Sequence, residues 1–122
     1  VVALDGTADP WGTRAVRASS GLVFRTPIHC VRGRAIGEVI DALPRPLLAA
    51  EMAGDDPSGH SGAQWSLVVG NEGGGVREEV LRRCEAKVGV PMPGGTESLN
   101  VAVAGAILLY ALSPLHPDRT SG

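Results

Sequence analysis

The sequence predicts an α/β fold in which a parallel-type sheet is covered by helices on both faces. Three observations predict it. Short aliphatic runs alternate along the chain with stretches of helical periodicity, the order expected of parallel strands joined by crossovers. Aromatic residues make up 3% of the chain against 43% hydrophobic residues overall. The core must therefore be filled by Val, Leu, Ile and Ala, as in a doubly covered sheet. The clearest strand, residues 65–69, runs straight into a glycine-rich turn and a helix.

Residues 1–4 form a β-branched, apolar run that stops at Asp5-Gly6, a strand followed by a turn. Asp9-Pro10-Trp11-Gly12 extends the turn, and Thr13 is a candidate N-cap for a helix over 14–22. Residues 27–31 read as a strand. A helix over 35–43 places Ile36, Val39, Ile40 and Leu43 on one face, and Pro44 stops it. Residues 46–52 read as a buried strand and 54–62 as a polar, glycine-rich loop.

After the strand at 65–69 and the turn at 70–75, a helix is predicted over 76–84. Glu78 and Glu79 lie in its first turn, with Arg82 and Arg83 near its end, the order that complements a helix dipole. Residues 87–91 form a further strand and 93–96 a turn, with Glu97 or Ser98 capping a final helix over 101–112. That helix is apolar nearly all round and must be covered on several sides. Gly105 with Ala102, Ala104 and Ala106 permits close helix approach. The polar tail from Ser113 is expected to fray. One domain is expected over residues 1–122.

Composition narrows function little. The net charge of −2 provides no electrostatic footprint for a nucleic acid. The apolar run at 101–112 is about a dozen residues long, well short of the roughly twenty needed to cross a membrane, so no membrane partner is expected. Cys30 and Cys84 lie far apart and form no metal or redox motif. With no basic-then-apolar signal segment at the N-terminus, a reduced cytoplasmic protein is the expectation.

The chemistry is concentrated in Gly70-Asn71-Glu72-Gly73-Gly74-Gly75. A strand, a glycine turn and a helix start together bring backbone N–H groups to a ligand. The turn does not fit G-x-G-x-x-G, because Glu72 stands where the second glycine belongs and would repel a pyrophosphate. No G-K-[ST] follows, which excludes a P-loop. Alternatively the glycines serve only a tight turn, and Glu72 accepts N–H bonds at the helix start.

Residues 67–76 resemble the second motif of the SpoU (TrmH-like, SPOUT-superfamily) RNA ribose methyltransferases, an apolar strand ending in G-x-E-G-x-G. Val90-Pro91-Met92-Pro93-Gly94 with Glu97-Ser98-Leu99-Asn100-Val101-Ala102-Val103-Ala104 resembles the third. Asp9-Pro10 through Arg17-Ala18-Ser19 to Phe24 and Pro27 resembles the segment between the first and second motifs.

The resemblance implies a trefoil-knotted domain that binds S-adenosyl-L-methionine and methylates a ribose 2'-hydroxyl of RNA, ribosomal RNA ahead of transfer RNA. It implies cofactor contacts at Val69, Gly70, Val90, Met92, Ser98 and Leu99, with no metal. Glu72, Ser98 and Asn100 fall at the reacting centre. Ser98 and Asn100 could instead cap the final helix, and Asn100, inside an apolar stretch, would need hydrogen-bond partners if buried. A homodimer through the final helix is implied as well.

The first motif of the family, N-x-G-x-x-x-R, has no good counterpart. Asp9 to Arg17 lacks the asparagine, and its spacing to the arginine does not match. The expectation is a chain truncated at its N-terminus. Since a neutral hydroxyl is a weak nucleophile, two readings stand beside catalysis: a non-catalytic cofactor- or RNA-binding dimerisation module, and a nucleotide-binding α/β domain.

Overall fold

A computed structural model describes residues 1–33, 35–60, 62, 64–71, 74–91 and 100–113. The chain forms two compact units, Val1–Ala42 and Leu43–Gly122. Each contains its own parallel sheet, where the sequence predicted a single one.

In the first unit β1 (Val2–Leu4) pairs in parallel with β2 (His29–Val31), Val2 opposite His29 and Leu4 opposite Val31. The crossover carries α1 (Thr13–Ala18) and a single 3-10 turn, Leu22–Phe24. Thr13 does not cap α1. Gly12 takes that position without a side-chain cap, and the turn before it is held by Asp9, whose Oδ1 accepts from the Trp11 N–H at 3.0 Å.

The predicted helix over 14–22 ends early, at Ala18. Ser20 and Gly21 both adopt positive φ, 54° and 80°, and the Gly21 N–H donates back to Val16 O at 3.0 Å. A left-handed pair closes a helix in this way and cannot continue it. The next helix, α2 (Ala35–Ala42), matches its apolar periodicity, with Ile36 and Ile40 buried.

The second unit is built on β3 (Leu47–Asp55), flanked by β4 (Ser66–Val68) and β5 (Ala86–Val88) in the order β4-β3-β5, all parallel. Leu47, Leu48 and Ala49 are fully buried, as expected for the central strand of a covered sheet. β3 is longer than the predicted 46–52 because its register shifts between Ala50 and Asp55. Residues 51–54 bulge out, and Asp55 returns to the sheet, its carbonyl accepting from Gly89 N–H at 2.9 Å. The following loop contains a 3-10 turn, Pro57–His60.

Two helices complete this unit. α3 (Glu78–Leu81) is a single turn where residues 76–84 were predicted, though its Val80 and the preceding Val76 are both buried. α4 (Val101–Leu112) has the predicted bounds. Leu108 and Leu112 pack with Leu48 and Val88 into one core, joined at its margin by Ala50, Trp65, Leu67, Ala86 and Val90. Alternation along β3 explains the set, since Leu48 and Ala50 project from the same face.

The direction of α4 fixes where a site can form. The Trp65 indole N–H donates to Leu112 O at 3.1 Å, which anchors the end of α4 beside the start of β4. Val69, just past the other end of β4, faces Gly105. α4 therefore runs antiparallel to the strands, and its N-terminus points toward their carboxyl ends. No helix among the described residues is long and apolar enough to cross a membrane. The threading implied by the family resemblance, and the predicted frayed tail, involve residues 92–99 and 114–122, outside the described residues.

Candidate functional site

Ligands of parallel α/β sheets bind beyond the carboxyl ends of the strands, and three of the predicted site residues, Val69, Gly70 and Val90, lie there. Val68 is paired with Ala49, and Val88 with Ala50. Val69-Gly70 and Gly89-Val90 thus leave the sheet at the same end, one on each side of β3. With strands about 4.8 Å apart, the two exits are roughly 10 Å apart, a span suited to an adenosine-sized ligand.

The β4 exit is tightly constrained. A Cβ on Gly70 would collide with the backbone of Gly75 and Val76, so only glycine permits the turn to fold back on itself. Two hydrogen bonds close the loop: Asn71 N–H to Gly75 O at 3.3 Å and Gly75 N–H to Asn71 O at 2.9 Å. Gly75 takes φ 64°, a conformation that favours glycine. Both of these N–H groups are thus spent inside the loop, which weighs against the nucleotide-phosphate reading. Val69 is 44% exposed and presents an apolar wall.

The β5 exit is shaped by the β3 bulge. A Cβ on Gly89 would strike Glu51 O, and one on Gly54 would strike the backbone of Val88. Backbone thus packs on backbone at both places, leaving Val90 half-buried at the margin of the core. Val69 and Val90 supply apolar surface while the turns supply peptide groups, the lining an adenine ring requires.

Asn100 caps α4, its Oδ1 accepting from the Ala102 N–H at 2.8 Å. This corrects the expectation that Glu97 or Ser98 serves as the cap. Asn100 itself is exposed, and its cap is the alternative role the sequence offered for it. Glu72, Met92, Ser98 and Leu99 lie outside the described residues. Gly105, predicted to ease the approach of another helix, is buried within its own chain against Val69.

Sequence reasoning missed several groups around these exits. Gly54 and Gly89 carried the available signal, a glycine at a strand end where backbones approach closely. Glu51, half-buried on β3, places its Oε2 3.9 Å from where a side chain on Gly75 would begin. Asp55 pairs with His60, Oδ2 to Nε2 at 3.2 Å. Asp56 accepts from the Ser58 N–H, which lowers its carboxyl below the ordinary value.

Burial raises the Cys84 thiol, with the charges of Glu85 and Glu51 adding and Arg45 opposing. Cys30 and Cys84 are both free. Among the described residues no cluster of His, Cys, Asp and Glu could hold a metal ion.

Comparison with known proteins identifies the family. The model of the SpoU rRNA Methylase family matches residues 1–110. The 23S rRNA (guanosine(2553)-2'-O)-methyltransferase RlmP of Bacillus subtilis is 36% identical over 117 residues, 92% of this chain and 46% of its own length. The SpoU methyltransferase AviRb from Streptomyces viridochromogenes, solved in complex with the cofactor AdoMet, superposes with a TM-score of 0.82 at 30% identity, covering 99% of this chain and 48% of that one. An AdoMet-bound rRNA methyltransferase from Sinorhizobium meliloti gives a TM-score of 0.79 at 29% identity, covering 91% and 44%. The chain thus spans about half the length of the relatives it matches. It belongs to the SpoU rRNA methylase family.

Proposed function

We propose that the protein transfers a methyl group from S-adenosyl-L-methionine to a ribose 2'-hydroxyl of RNA, with ribosomal RNA ahead of transfer RNA as substrate. The observation that carries this reading is the common exit of Val69-Gly70 and Gly89-Val90 on either side of β3, facing the N-terminal end of α4. Relatives whose names specify ribosomal RNA ribose methylation, and neighbours solved with AdoMet, support it. In this reading both compact units serve one methyltransferase domain, since the family model runs across them.

Val69, Gly70, Val90, Met92, Ser98 and Leu99 hold the cofactor. The apolar pair grips the adenine, and peptide groups of the turns meet its nitrogen edge. When bound, the cofactor supplies a methyl group activated on a sulfonium. Glu72, Ser98 and Asn100 orient the ribose hydroxyl and take part in removing its proton, since alignment and an acceptor are what a neutral hydroxyl lacks. Arg14 and Arg17, both exposed on α1, provide phosphate contacts that the overall charge does not.

A homodimer through α4 completes the reading. Val103, Ile107, Leu109 and Tyr110 are 41% to 55% exposed on that helix, and an apolar face of this kind is commonly covered by a partner. The test uses the complete protein with ribosomal RNA and S-adenosylmethionine carrying a labelled methyl group. Label should be recovered on a ribose, at a nucleotide that then resists alkaline cleavage. Label on a base, or none on RNA, overturns the reading.

A further inference from the structure

Glu51 lies on the central strand between the two exits. It follows Ala50, the last residue of β3 before the register shift. The Glu51 carbonyl packs against Gly89 on the β5 side, while its carboxylate reaches toward Gly75 in the loop on the β4 side. The side chain is half-buried, and among the described residues none forms a hydrogen bond or ion pair with it. A carboxylate so placed can accept from a bound ligand without giving up a partner inside the chain.

S-adenosylmethionine offers donors of three kinds, the neutral adenine amino group, the ribose hydroxyls and the α-ammonium. The ribose hydroxyls are neutral. The α-ammonium of the methionine part is a cation with three N–H donors, and a charged pair offsets the desolvation of a carboxylate better than a neutral donor does. The sulfonium carries no N–H. We infer that Glu51 receives the α-ammonium of the methyl donor. This inference rests on the reading that the protein binds S-adenosylmethionine.

Calorimetric titration of the complete protein and its Glu51→Gln variant tests it, with three ligands. S-adenosylmethionine carries both sulfonium and ammonium, S-adenosylhomocysteine the ammonium alone, and 5'-methylthioadenosine neither. The variant should bind the first two roughly tenfold to a hundredfold more weakly, the range of a lost charged hydrogen bond. It should bind 5'-methylthioadenosine as the parent does, which also reports that the variant is folded. Equal weakening of all three assigns Glu51 to the adenine, the ribose or the fold and overturns the inference. Weakening of S-adenosylmethionine alone, or no change, overturns it too. Should the unaltered protein bind none of the three, the methyl-donor reading itself is the one that fails.

Discussion

Val69 Cγ2 lies 3.6 Å from the point where a side chain on Gly105 would begin. That is ordinary van der Waals separation, so one methyl group fits between α4 and the β4 exit and a larger group does not. Gly105→Ala should raise thermal stability by about 0.5–1 kcal/mol, since alanine replaces glycine inside a helix. Gly105→Leu should push Val69 aside and lose about 1–3 kcal/mol, with weaker S-adenosylmethionine binding. Chemical denaturation and calorimetry on both variants measure the two effects, and loss of stability in Gly105→Ala would contradict the packing.

The two glycines that close the candidate cofactor loop are needed for different reasons, and substitution separates them. Gly70 is needed for space, because a Cβ there meets the backbone of Gly75. Gly75 is needed for its conformation, φ 64°, while a side chain beginning there would meet the Glu51 carboxylate only at 3.9 Å. Gly75→Ala should cost about 1–2 kcal/mol, and Gly75→Asn less, since asparagine tolerates the left-handed region. Gly70→Ala should reach the upper part of the range of about 1–3 kcal/mol for overpacking, and Gly70→Asn should be worse still. Asparagine thus rescues one position and aggravates the other, which urea denaturation of the four variants would resolve.

The strands of the second unit were legible because central parallel strands are buried on both faces and read as short aliphatic runs, as at Leu47-Leu48-Ala49. The turns at Gly70 and Val90, which we propose hold the cofactor, were legible through the family motifs. The bulge at residues 51–54 was not, because it is a property of register between β3 and β5, and register leaves no local pattern. Glu51 and Gly89 acquire their meaning only from that bulge. The end of α1 was missed for a related reason: Ser20, not a residue that ordinarily signals positive φ, adopts the left-handed conformation together with Gly21. Two parallel sheets instead of one reflects pairing between distant segments, which periodicity alone does not determine.

Asn100 has a demonstrable structural task, accepting the Ala102 N–H at 2.8 Å, and a proposed one at the reacting ribose. Replacing it by alanine removes both, with a loss of about 0.5–2 kcal/mol from the cap. Asn100→Asp keeps the accepting oxygen and adds a negative charge at a helix N-terminus, where it is favourable, so stability should return to the parent value. It also removes the amide's N–H donors. If Asn100 acts on the ribose, methylation should stay depressed in Asn100→Asp although the fold is restored. Full activity in that variant would leave the residue a cap alone.

Glu85 holds the opposite end of the sheet, and its contribution depends on pH. Its Oε2 accepts the Leu47 N–H at 2.6 Å, and its Oε1 faces Arg45 Nη1 at 3.1 Å. The Leu47 bond first, then smaller contributions including Arg45, lower its carboxyl below the ordinary value of 4.5. A carboxyl depressed in the folded state favours folding above its ordinary value, and that advantage is lost as pH falls through the depressed one. The side chain is 47% exposed, so solvent screening limits the effect to about 1 kcal/mol or less. Glu85→Gln should therefore be less stable than the parent at pH 7, with the gap narrowing as pH falls below 4.5 and closing once the carboxyl is protonated in both states. A gap that stayed constant down to acid unfolding would mean that the amide loses packing or geometry, with no charge at work.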